Sequence, residues 1–237
     1  MKTNSRYFMV FMAALVLICS GCTKKYETQI SSVTKSKIVH NKINIEDYIT
    51  EDGISDEAPL LFVEDELVEY KDIQLYLLYA KQKYENIFGK EVWNVKVSDD
   101  KTFEDFVKEE ALNQIIKHKI TAYGAKKYNI EIKPDEQIDI ENEVHNYMVS
   151  ISDEDAKKYD ITREKVRQVV YDNYLTDKVY DIVTMDVDIN VDESAADPES
   201  IIEQRQDEIF ATEYTKWFED ADIIVVSQIW KKVNIIQ

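Results

Sequence analysis

Apolar and polar positions alternate along the chain in blocks whose spacing names the elements. Leu60-Leu61-Phe62-Val63, then polar Glu64-Asp65-Glu66, then Leu67-Val68, predicts a strand, a turn and a second short strand. Tyr70 to Phe88 reads as a helix, with Ile73, Leu77, Ala80, Tyr84, Ile87 and Phe88 near helical spacing and Gly89 as its C-terminal cap. Thr102-Phe103-Glu104-Asp105 fits a capping box, and Phe106, Leu112, Ile115, Ile116, Ile120 and Tyr123 carry the helix on to about Tyr128. Pro134 suits the first turn of another helix, with Asp135 and Glu136 complementing its dipole and Ile140, Val144, Tyr147, Met148 and Ile151 facing inward. Ser152 to Asp160 is a polar break. Thr162 caps a helix running to about Met185, and Asp197-Pro198 opens a last long one with Ile202, Ile209, Phe210, Tyr214, Trp217 and Phe218. Ile223 to Val226 is a short apolar strand, expected to pair with the strand near residue 62, and Ser227 to Val233 is a terminal turn. The fold class is therefore mainly α, with a small β element joining the N- and C-terminal ends.

The first residues obey a different logic. Lys2 and Arg6 precede a 12-residue apolar run, Tyr7 to Ile18, too short to span a bilayer comfortably. Ser20, Gly21 and Cys22 follow, and the three parts together mark a secretory signal. Cys22 after Ser-Gly is similar to the lipidated cysteine of bacterial lipoproteins, although Cys19 stands where that pattern usually has Leu. Residues 1–21 are thus expected to be a lipoprotein signal peptide, residues 22–58 a lipidated N-terminus and flexible tether, and residues 59–237 one helical domain. A diacylglyceryl group on Cys22 supplies two chains, enough for stable attachment where one is marginal. Cys19 and Cys22 are the only cysteines, so the body holds no disulfide, thiol nucleophile or cysteine-ligated zinc. Ile43, Ile45, Tyr48 and Ile49 interrupt the otherwise polar tether as a short docked turn.

Charge narrows the partners. With 29 basic and 47 acidic residues the formal net charge is −18, and removal of Lys2 and Arg6 with the signal makes the body more acidic still. Nucleic acid is disfavoured, because a phosphate backbone needs a basic footprint. Only 4 Gly and 3 Pro argue against the many turns of a sandwich or barrel.

Several stretches resemble the chaperone region of secreted foldases of the SurA and PrsA type. Leu60 to Tyr79 is similar to the opening strand pair and first helix of that family, and Phe88-Gly89-Lys90-Glu91-Val92-Trp93 to the segment that follows. Thr102 to Ile132 resembles the long second helix, Pro134-Asp135-Glu136 the opening of the third, and Trp217-Phe218 with Ala221-Asp222-Ile223 the closing helix and strand. Such foldases often carry a parvulin-type prolyl isomerase domain between the fourth helix and the last. Here that interval is 186–197, with neither the room nor the glycines and histidines of such a domain. The resemblance implies a membrane-anchored, extracytoplasmic chaperone that binds unfolded secreted polypeptides, without isomerase activity and without a cofactor. A homodimer is compatible with it. The alternative is a surface lipoprotein that binds one specific ligand or protein partner.

Candidate chemistry is sparse. No G-x-S-x-G elbow occurs. His118, within Lys117-His118-Lys119, and His145 read as exposed or boundary helix residues rather than bases or ligands. Asp186, Asp188, Asn190, Asp192 and Asp197 fall at positions 1, 3, 5, 7 and 12 of an EF-hand count, but Val191 occupies the position that needs glycine. The segment reads as a half-buried strand or an extended linker with one polar face, and no metal site is expected. A surface for unfolded chains needs adaptable apolar contact. Tyr76, Tyr79, Tyr84, Phe88 and Trp93 cluster on the first helix and the loop after it and are the candidate client-binding residues; the same spacing also suits a core.

Overall fold

The computed structural model describes residues 44–50, 53–185 and 198–235. The signal sequence, Cys22 and the acidic 186–197 segment lie outside the described residues. The protein is mainly α with a small antiparallel sheet. Its residues divide into two compact units. The described residues up to Ile115, with Val149–Lys165 and those from Asp222 on, form the first; Ile116–Met148 and Val166–Ala221 form the second.

The first unit begins earlier than residue 59. A 3-10 turn at Ile45–Tyr48 leads into β1 (Ile49–Thr50), paired antiparallel with β2 (Gly53–Ile54). This is the docked turn expected from the isoleucines, and order continues from it into the sheet. The Ala58 carbonyl accepts from the Tyr70 N–H at 2.8 Å, and Ala58 is fully buried. The turn segment is thereby part of the fold rather than tether.

β3 (Pro59–Val63) and β4 (Glu66–Glu69) form the expected hairpin. β5 (Ile223–Val225) adds to the other edge of β3, with Leu61 opposite Val225, Phe62 opposite Ile224 and Val63 opposite Ile223. β3 is central, which explains why four of its five residues are buried where an edge strand would alternate. Glu64, at φ +52° in the hairpin turn, locks the corner. Its N–H donates to the Asp222 carbonyl at 2.8 Å and its carboxylate accepts from the Asp222 N–H at 2.9 Å.

α1 (Tyr70–Phe88) has the bounds its pattern predicts. Asp72 accepts from the Glu69 N–H at 2.8 Å, and Gly89, at φ +76°, ends the helix by donating to the Glu85 carbonyl. A 3-10 turn (Lys90–Asn94) carries Trp93. α2 (Phe103–Tyr128) starts at its predicted cap: Thr102 Oγ1 accepts from the Asp105 N–H at 3.2 Å, and the Asp105 carboxylate accepts from the Thr102 N–H at 3.0 Å. The Thr102 bonds hold the Asp105 carboxyl below its ordinary pKa.

α3 (Glu136–Ser150) begins two residues after Pro134, because Glu136 caps back onto the Lys133 N–H at 2.6 Å and leaves Pro134-Asp135 as the turn. The polar break holds a short α4 (Asp153–Lys158), capped by Ser152. α5 (Arg163–Met185) and α6 (Pro198–Asp220) follow, and α7 (Ser227–Trp230) closes the chain after β5. Ile229, Val233 and Ile235 are buried, and the Ile235 N–H donates to Glu104 at 2.9 Å.

The second unit is all helix. Ile120, Ile140, Val144, Val166, Val179 and Trp217 are at most 2% exposed and form its core. A Cβ at Gly124 would lie 2.5–2.7 Å from the Trp217 ring, so α2 meets α6 there at a separation only glycine allows. Ion pairs link its helices, from the largely buried Lys119–Asp172 to the more exposed Lys127–Asp220, with Lys178–Glu136 and Arg167–Glu141 between.

His118 corrects the sequence reading. It is 2% exposed, and only His145 is exposed as expected. Position 118 lies seven residues from Ala111 and Ala125 and three from Ile115, on the buried stripe of α2. The flanking lysines mislead because neighbours in sequence point to different helix faces. Burial, then Lys117 and Lys119, lower the His118 pKa to about 3, against a hydrogen bond with Asn173.

Candidate functional site

The aromatic side chains around the end of α1 are brought together by a loop that turns back on itself. Gly89 stops the helix, the 3-10 turn presents Trp93, and Lys96 bridges to Thr102. The Phe103 N–H then donates to the Val95 carbonyl at 2.7 Å, which seats the first turn of α2 against α1.

The rings make a continuous chain. Phe88 stacks on Tyr84 at 6.5 Å between centroids. Tyr84 meets Trp93 edge-on at 6.2 Å and Phe103 edge-on at 5.0 Å. Phe103 stacks with Trp93 at 5.8 Å and with Phe106 at 6.2 Å. These offset and perpendicular geometries are the favourable ones for rings. The Trp93 Nε1–H donates to the Glu85 carboxylate at 2.9 Å, giving the buried indole a polar partner. Lys83 lies 5.5 Å from the Tyr84 centroid, and burial lowers its pKa.

Of the five residues the sequence singles out, Tyr84, Phe88 and Trp93 belong to this ring chain. Tyr76 and Trp93 are each 8% exposed and serve the core, and Tyr79 is half-buried. Phe88 is 62% exposed and Ile87 63%, so the apolar spacing of α1 runs on past its buried face at this end. The helix outruns the material it packs on. Val95 and Val97 are 52% and 47% exposed in the following loop. Phe103 and Phe106 complete the ring chain and Ile87, Val95 and Val97 extend the apolar edge; sequence spacing places none of these five in the site. The one available signal is Val95-Lys96-Val97, an apolar pair with no periodic partner in a polar loop.

The edge is suited to contact rather than chemistry. It offers rings and branched aliphatics, with the Glu85 carboxylate bonded to Trp93 beside them. Ser98 holds the Asp100 carboxyl below its ordinary pKa. Among the described residues no three His, Cys, Asp or Glu side chains converge as a metal ion requires, and no helix is long and apolar enough to cross a membrane.

No protein-family model, curated protein or solved structure matches the chain.

Proposed function

We propose that the protein is a membrane-anchored, extracytoplasmic chaperone that holds unfolded secreted polypeptides against the apolar edge of its first unit and has no prolyl isomerase activity. The observation that carries this reading is the exposure of Ile87, Phe88, Val95 and Val97 beside a packed ring chain. Contiguous exposed apolar surface rimmed by polar groups marks a site of protein contact. Tyr84, Trp93 and Phe103 hold each other in place, so the edge is rigid at its base and open at Phe88. A client side chain laid there gains burial without ordering the protein first. The sequence supplies the rest: a signal with Cys22 for anchorage, and an acidic body that keeps a loaded complex soluble and favours basic clients.

The test is light scattering of two unrelated, chemically unfolded secreted proteins on dilution, with and without the unlipidated chain from Cys22 on. Suppression near one-to-one for both clients is expected. Suppression for neither overturns the reading in favour of a lipoprotein with one specific partner. Phe88→Ser with Ile87→Ser is expected to weaken client binding about tenfold, the loss of about 1.4 kcal/mol of apolar contact. The melting temperature should stay within a degree or two of wild type, because both side chains are largely exposed. Trp93→Ala, by contrast, should lower stability by about 3 kcal/mol or more.

A further inference from the structure

The three-stranded sheet of the first unit ends on two edges that are built differently. The β4 edge is guarded. Glu66 and Glu69 flank its Leu67 and Val68, the Glu69 N–H is committed to the Asp72 carboxylate at 2.8 Å, and the pairing with β3 shifts register between Pro59 and Leu61. Charge and irregularity of this kind keep an edge from accepting another strand. β5 has neither. Ile223-Ile224-Val225 carries no charge and no proline, and it pairs with β3 without a shift.

The register fixes where the β5 backbone points. The Leu60 carbonyl accepts from the Val226 N–H at 2.9 Å, and the Asp222 carbonyl accepts from the Glu64 N–H at 2.8 Å. Antiparallel bonding uses every second residue, so Asp222, Ile224 and Val226 turn their peptide groups toward β3. Ile223 and Val225 direct theirs away from the sheet, and among the described residues none bonds to them. Two donors and two acceptors at this spacing match one extended strand. Ile224 and Val225 are only half-buried, so the edge is within reach.

Charge selects the strand. A second copy could pair β5 with β5 about a two-fold axis, but each chain carries a formal net charge of −18 and two such bodies repel. Glu64 and Asp222 are both exposed and stand together where β5 begins, the Glu64 carboxylate accepting from the Asp222 N–H at 2.9 Å. Their charge favours a lysine or arginine in the incoming chain.

We propose that β5 takes up an extended, apolar and basic segment of an unfolded client as a fourth strand of the sheet. The inference rests on the chaperone reading and adds to it a second site, which holds the client by its main chain and so tolerates many sequences.

The probe is a fluorescein-labelled peptide of about ten residues, alternating valine and threonine with a lysine at each end, added to the unlipidated chain from Cys22 on. Its anisotropy should rise on binding. N-methylation of its amides keeps the charge and removes the donors, and should weaken binding about tenfold or more. Saturating peptide should slow amide exchange at Ile223 and Val225 about tenfold in the wild-type chain, with little change at Ile224, whose N–H already faces β3. Val225→Pro removes an outward donor and none that β3 uses, so it should weaken the peptide about tenfold with an unchanged melting temperature. No binding of the peptide, equal binding of its methylated form, or unchanged exchange at Ile223 and Val225 overturns the proposal and leaves the apolar edge around Phe88 as the client site. A dimer in sedimentation that Val225→Pro converts to monomer also overturns it, with a second copy as the occupant. Light scattering with the two unfolded clients reads the chaperone function itself, so the two readings fail separately.

Discussion

Replacing Gly124 with alanine is expected to destabilise the protein by about 2 kcal/mol, although alanine is the better helix former by about 1 kcal/mol. The added methyl would fall 2.5–2.7 Å from three atoms of the Trp217 ring. That ring has nowhere to go. It is 2% exposed, meets Tyr128 at 5.9 Å and stands edge-on to Phe210 at 6.2 Å. The Tyr128 hydroxyl is tied in turn to Glu213 at 3.0 Å. Relief must come from separating α2 and α6, which opens gaps elsewhere in a close-packed core. Gly124→Val should cost more, because its branched side chain is also stiff in a helix. Trp217→Leu should be damaging alone yet partly rescue Gly124→Ala, a coupling that only direct contact produces. Urea unfolding of the four proteins measures it. Additive losses, or a neutral Gly124→Ala, would show that the two helices are not held at this distance.

The second large effect is acid sensitivity set by His118. The imidazole is 2% exposed, and its pKa is lowered to about 3 by burial first and by Lys117 and Lys119 next. A histidine whose folded pKa lies below its unfolded value binds protons preferentially when unfolded. Its cost is absent above pH 6.5 and grows as pH falls below it. Between pH 7 and pH 4 the loss amounts to roughly 3 kcal/mol, at about 1.4 kcal/mol per pH unit. His118→Gln, which keeps a polar side chain for Asn173 but does not titrate, should be less stable at pH 7 and lose much less on acidification. Urea midpoints at pH 7, 5 and 4 measure the contrast. Parallel profiles for the two proteins would mean that His118 takes its proton without unfolding the chain.

The elements were legible in the sequence where local chemistry and burial agree. Gly89 ends α1, Thr102 and Asp105 start α2, and the pairing of the strand near 224 with the one near 62 follows from two apolar segments too short to stand alone. Legibility ends where charge and burial part company. Lys117 and Lys119 mask a buried histidine between them, and Ile87 and Phe88 keep helical spacing after the core beneath them has ended. The candidate site was half legible for the same reason. Periodicity identifies Tyr84 and Phe88 as a pair on one face but says nothing of Phe103, which arrives through the fold of the 89–102 loop. The boundary between the two units falls inside α2, between Ile115 and Ile116, where the apolar stripe runs on without interruption.

The position of β3 at the centre of its sheet sets a timetable for the protein's birth. Its partner on one side follows within a few residues, but its partner on the other, opposite Val63, is Ile223, about 160 residues further along. A chain delivered from its N-terminus therefore makes the hairpin early and waits with one edge of β3 bare until nearly all of it has emerged. Closing so long a loop is entropically costly and slow. Until then Leu61 and Val63 present an unpaired edge to any neighbouring strand. Such a protein passes through a state with the needs of an unfolded client before it reaches its own folded form.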